Sequence, residues 1–387
     1  QQEGMSVSVD EKVRIALKLD ELGVQFIEGG FPASNPKEIE FFRRMERERL
    51  TNAELVAFGM TRRKGIAVDD DQNLRVLAES TAPLVAVVGK SWGLHVSKVL
   101  RASYDENLRM IGESIEFLLR QGKRVVYDAE HFFDGYADDP DYALQTVKAA
   151  ADAGAETICL CDTNGGTLPS AVDEAVRAVV AHVTARVGIH CHNDGDCAVA
   201  NSLVAVAAGA RQVQGTMNGY GERCGNANLC SIIPALKLKM GFPVLGDEQL
   251  ARLSETAHFV ADIANVAVWP HAPYVGRSAF AHKGGLHVAA VQQASQTFEH
   301  IDPTLVGNQQ RVVISELSGK GAVLRKAQEL GFDLANDDER VGAVLKALKD
   351  REHRGYHYEA AEASFELLLR EELAPRSPLF HLESWRV

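Results

Sequence analysis

From residue 1 to about residue 241 the chain alternates strand-like apolar runs with amphipathic helical stretches, and this alternation constrains the fold more than any other feature. The strand-like runs are Val24–Glu28, Leu55–Thr61, Leu84–Gly89, Arg124–Glu130, Thr157–Asp162, Val187–His192 and Gln212–Met217. Helical periodicity marks Val9–Leu22, Pro36–Glu48, Gln72–Glu79, Asp105–Arg120, Asp141–Ala153, Pro169–Ala185, Ala198–Ala208 and Ala227–Lys239. Short apolar runs bounded by helices are what a buried parallel sheet requires. Seven strands against eight helices leave a closed barrel one strand short. The chain also opens in a polar loop directly before its first helix. The expected fold is therefore a TIM (β/α)8 barrel whose first strand lies upstream of Gln1. An open doubly wound sheet would need no eighth strand, but it would carry a glycine-rich phosphate turn after its first strand, and none is visible.

Barrels of this kind build their active sites at the C-terminal strand ends. Those ends read Glu28, Arg62, Lys90, Glu130, Asp162-Thr163, His190/His192 and Asn218/Glu222. Side chains on a strand repeat every two residues, so both imidazoles of His190-Cys191-His192 point the same way. Two histidines on one face at a strand end suit a divalent metal that keeps positions free for substrate. The same pair also suits polar residues that merely finish a strand. What favours the metal is its place on a rim rich in carboxylates and poor in bulky apolar groups.

The apolar share of 46% and charged share of 24% allow a large buried core. A net charge of −12 argues against nucleic acid or an anionic membrane as a main partner. All six cysteines lie within the alternating region with no Cys-x-x-Cys pair, which reads as reduced thiols in a cytoplasmic protein. No apolar run reaches the roughly 18 residues that span a bilayer.

Past residue 242 the pattern changes. A helical stretch, Glu248–Val266, precedes the loop Trp269-Pro270-His271-Ala272-Pro273. In Ala279–His287 a glycine pair separates His282 from His287, which on its own reads equally as a glycine-rich turn. Helices are expected over Gly321–Leu330, Asp338–Glu352 and Ala360–Glu371, and Phe380–Val387 alternates like a half-buried strand. A single strand cannot stand alone. The expected division is a barrel over 1–241, a linker subdomain over 242–330, and over 331–387 a helical subdomain with the start of a further domain.

Five motifs carry a resemblance: Glu28-Gly29-Gly30-Phe31-Pro32, Cys161-Asp162-Thr163-Asn164-Gly165, Ile189–Asp194, Gly219–Leu229 and His282–His287. Over nearly its whole length the chain resembles the acyl-CoA-dependent Claisen-condensing enzymes of the 2-isopropylmalate, homocitrate and citramalate synthase group. Gly29–Lys37 and Asn218–Leu229 are most similar to the citramalate synthase branch. The resemblance implies His190, His192 and Asn226 as ligands of a divalent metal, zinc, manganese or magnesium. It implies Glu130 as a catalytic carboxylate at the reacting carbonyl, Thr163 as the holder of the keto acid's carboxylate, and His287 as a proton-transfer group. Glu222, beside the metal loop, is expected to orient that loop. Glu28 is expected to bind substrate from the rim. The family's Arg-Asp-Gly signature, at the end of its first strand, would fall just before Gln1.

The implied reaction joins acetyl-CoA to a small alpha-keto acid, pyruvate in this branch, then hydrolyses the thioester to give (R)-citramalate and CoA. A homodimer is likewise implied. The alternatives are a 2-isopropylmalate or homocitrate synthase using another keto acid, an acyl-CoA lyase or aldolase, and a catalytically inactive metal-binding barrel. Selectivity is expected from Lys90–Trp92, Glu130–Phe133 and Thr163.

Overall fold

A computed structural model of the chain describes residues 2–335, 339–359, 361–373 and 383–384. They form two compact units, one over 1–269 with 273–275 and one over 270–272 with the residues from 276 onward.

In the first unit seven parallel strands follow one another in sequence order: β1 (Phe26–Glu28), β2 (Glu54–Met60), β3 (Leu84–Lys90), β4 (Arg124–Glu130), β5 (Thr157–Asp162), β6 (Arg186–Cys191) and β7 (Gln212–Gln214). β1 and β7 are the two ends of that order. Helices connect the strands, as right-handed parallel crossovers require. Start signals are local. Ser8 forms a capping box with Glu11 ahead of Val9–Leu22, and the Asn35, Asp71 and Ser103 side chains cap the next three long helices. Pro140 and Pro169 occupy first-turn positions, where a missing N–H costs nothing.

Strand alternation divides the core in two. Outward residues such as Leu55, Val85, Val125, Ile158 and Ile189 join the large cluster beneath the helices. Inward residues Val56, Leu84, Ala86, Val126, Cys159 and Cys161 form a separate cluster on the inner face. Above this apolar floor the inner face turns polar with Asp128, Glu130, His190 and Gln214. Most elements match the sequence reading to within a few residues, and the (β/α) barrel architecture is the one expected. The short helix Phe132–Asp138 lies outside the expected helices, its first residues falling in the Glu130–Phe133 stretch expected to set selectivity.

The second unit has its own core, built from Val288, Ile314, Val323, Leu348, Phe365 and Leu368 among others. Its helices include Lys320–Glu329, Glu339–His353 and Glu362–Leu373, close to expectation. Around the glycine pair the structure departs from a simple turn. Ala281–His282 (β8) pairs with Arg311–Val312 (β9), and Gly284 caps a helix over Gly285–Gln293. A Cβ on Gly285 would press on the Gly319 backbone at 2.9 Å, so glycine here permits a close chain approach. Apart from Glu383 and Ser384, the strand expected at 380–387 lies outside the described residues.

Candidate active site

His190 ends β6 on the inner face and His192 follows two residues on, their ring centroids 5.2 Å apart. The loop after β7 folds back against them: His192 and Asn226 form an antiparallel bridge, and the Asn193 N–H donates to the Gly225 carbonyl at 2.9 Å. Asn226 Nδ2 thus lies 3.4 Å from His190 Nε2. Gly221 makes the approach possible, because a Cβ there would overlap Asn226 Oδ1.

Electrostatics prepare these donors for a cation. Burial, reinforced by His192, drops the His190 pKa to about 4. Burial and then Arg223 also depress His192. Both imidazoles are therefore neutral at pH 7, the state a metal ligand needs. His192 Nδ1 is buried with no hydrogen-bond partner among the described residues. Two imidazole nitrogens and an amide oxygen form a mixed N/O set that fits a divalent cation of borderline softness.

A second donor group lies deeper: Asp128, Cys159 and Cys161 are all buried, with ligand atoms within 4.8 Å of one another. Burial raises the Asp128 carboxyl to about 7 and pushes the Cys159 thiol well up. A cation there would first have to displace protons. Of the two groups, the histidine pair with Asn226 is already unprotonated.

Glu130 ends β4 directly opposite Lys90 in the β3–β4 register, and the two form an ion pair with side chains 23% and 13% exposed. Thr163 follows β5. Its Oγ1 accepts the His131 N–H at 2.8 Å, which stabilises His131 in a left-handed conformation (φ 56°) and leaves the hydroxyl hydrogen free to donate. His131 in turn pairs with Asp134 at 3.2 Å and packs 4.2 Å from the His95 ring.

Glu28 ends β1, open to solvent at the strand ends yet ringed by protein. Loss of hydration, then the neighbouring Asp128, raises its pKa to about 8. Glu222 is exposed and acts on His192 through its charge, with no side-chain hydrogen bond to a predicted ligand among the described contacts. His287 belongs to the second unit, where it stacks on Phe298 at 4.2 Å.

Three groups at the site escaped the sequence reading. Gln214 reaches His190 and Asp128. Arg223 grips Asp194 through two bonds of 2.8 and 2.9 Å and the Thr163 carbonyl at 2.7 Å, joining the loops after β5, β6 and β7. Lys90 was seen as a strand end but not as the partner of Glu130. Strand register carried that last signal, since paired residues of neighbouring parallel strands share a face.

The HMGL-like family model matches residues 1–260, which include the whole sheet and all three predicted ligands. The chain belongs to the HMGL-like family, on its citramalate synthase branch. Residues 274–355, containing His287, match the homocitrate synthase post-HMGL domain-like model. An (R)-citramalate synthase of Geobacter sulfurreducens is 51% identical over 387 residues, all of this chain and 73% of that protein. One from Synechocystis sp. is 50% identical, covering all of this chain and 72% of its own length. In shape, an HMG-CoA lyase from Bacillus subtilis superposes with a TM-score of 0.56 at 18% identity, covering 68% of this chain and 89% of that one. At that identity the likeness speaks to the HMGL-like barrel fold alone.

Proposed function

We propose that the protein condenses acetyl-CoA with pyruvate and hydrolyses the thioester, releasing (R)-citramalate and CoA. It is an acyltransferase of the 2-isopropylmalate and homocitrate synthase family, and its relatives over the full chain length carry this activity in their names. The observation that carries the site assignment is the convergence of His190, His192 and Asn226, with both rings neutral, at the C-terminal strand ends.

In this reading those three side chains hold a divalent cation, zinc, manganese or magnesium. When bound, the cation supplies Lewis-acid polarisation of the keto group. Thr163 donates its hydroxyl hydrogen to the keto acid's carboxylate while its lone pair keeps the His131 N–H. Glu130, held against Lys90, contacts the reacting carbonyl and sets the acceptor's orientation. Glu28 faces the substrate from β1. Removal of a proton from the acetyl methyl and activation of the hydrolytic water require a general base, a role assigned to His287 from the family resemblance. Glu222 tunes the metal loop through its charge. A homodimer in the cytoplasm belongs to the same reading and rests on the family resemblance. No helix among the described residues is long and apolar enough to cross a membrane.

The deciding experiment measures thiol release from acetyl-CoA by the protein with its natural termini. Pyruvate, 2-ketoisovalerate, 2-ketobutyrate and 2-ketoglutarate are compared, with and without a chelator. Chelator-sensitive turnover strongest with pyruvate is expected. A preference for 2-ketoisovalerate or 2-ketoglutarate would keep the chemistry and change the acceptor. Silence with all four, in protein that has bound metal, would overturn the synthase reading.

A further inference from the structure

Asp128 and Gln214 are polar residues on the inner face with no part in the reaction as described, and they meet across the interior. Asp128 lies on β4 and Gln214 on β7, with β5 and β6 between them, yet Gln214 Nε2 donates to Asp128 Oδ1 at 2.9 Å. The other end of the same amide, Oε1, is 3.0 Å from His190 Nδ1. His190 and Gln214 are also register partners in the β6–β7 pair. One amide is therefore fixed at both ends, between a buried carboxyl and an imidazole.

Hydrogen-bond chemistry makes this arrangement directional. An amide nitrogen only donates and an amide oxygen only accepts. With Nε2 committed to Asp128, Oε1 must accept, so His190 Nδ1 carries the hydrogen. In a neutral ring this leaves the lone pair on Nε2, the nitrogen facing Asn226. We propose that Asp128 and Gln214 are positioning residues that fix the tautomer and ring orientation of His190 and so prepare its Nε2 to bind the metal. The inference rests on the reading of His190 as a ligand. It also gives a role to Asp128, a buried acid beside Cys159 and Cys161. The reversed amide is the competing arrangement. It would need a protonated Asp128 donating to Oε1, and would place the ring hydrogen on Nε2, blocking the metal.

Nitrogen chemical shifts of metal-free protein labelled with 15N-histidine separate the two, with the His190 signal assigned by its absence in H190A. The expected result is hydrogen on Nδ1; hydrogen on Nε2 overturns the proposal, and this measurement needs no variant at the positioning residues. Mn²⁺ and Zn²⁺ affinities, measured by competition with a chelating dye, give a second readout. Q214L should bind about 10- to 100-fold more weakly. Natural affinity in a folded Q214L would also overturn the proposal. The ligand assignment is checked separately by H190A: if H190A binds metal normally, that reading fails, whatever the tautomer proves to be.

Discussion

Glu130 makes the sharpest single-residue prediction. E130Q keeps size and shape but removes the charge that pairs with Lys90 and faces the substrate, so kcat/KM should fall by roughly 10²-fold or more while metal affinity, measured by dye competition, stays unchanged. Gly221 should behave in the opposite way. A Cβ there displaces Asn226, so G221A is expected to weaken Mn²⁺ binding and to lose about 1–3 kcal/mol of stability in urea unfolding. An unaltered affinity would mean that Asn226 is not a ligand. These residues also show where sequence reading reaches. The His190 and His192 pair could be singled out from strand periodicity, a local signal, whereas Asn226 entered as a candidate only through the family resemblance. Gln214 and Asp128 were not legible: they are 86 positions apart and meet only because the sheet curls. Glu222 was expected to orient the metal loop because it is adjacent in sequence; the side chain in hydrogen-bond contact with His190 Nδ1 is Gln214.

At the scale of elements, Tyr104–Arg120 is fastened to the loop after β2 by Arg62, which is 5% exposed and paired to Glu106 at 2.9 Å and to Glu113 at 2.5 Å. The Arg62 hydrogen bond, aided by Arg109, lowers the Glu106 pKa from 4.5 to about 2. Between these values the unfolded chain binds the proton that the folded chain refuses. The stabilisation is therefore complete above about pH 4.5 and is lost as pH falls towards 2. E106Q should cost about 1–3 kcal/mol at pH 7, allowing for solvent screening, and much less near pH 2. Urea midpoints for both proteins across that window check the sign; a cost independent of pH would point to packing rather than charge. The strands themselves were easy to read, since β5 is a continuous apolar run buried at every position between two helical stretches. The helix after Gly284 was harder. Its first residue, Gly285, serves a close approach to Gly319, a distance that no local pattern encodes.

For the whole molecule, the two units have separate cores, so a cavity in one should remain in that one. L348A, in the core of the second unit, is expected to cost about 2–5 kcal/mol there and to leave metal affinity intact, because all three predicted ligands belong to the first. Calorimetry together with dye competition tests both halves of that statement, and a large drop in affinity would contradict it. The alternating pattern made the first unit legible as a whole, whereas in the second the strand pair Ala281–His282 with Arg311–Val312 was not foreseen. Sulfur chemistry offers a practical handle on the site. Cys159, Cys161, Cys191 and Cys230 are buried and Cys197 is partly covered, which leaves Cys224 as the exposed thiol. It stands in the loop between Arg223 and Asn226. A maleimide fluorophore added to the unmodified protein should therefore attach first within the segment that carries the proposed ligand Asn226, giving an optical reporter of metal loading without any engineered cysteine.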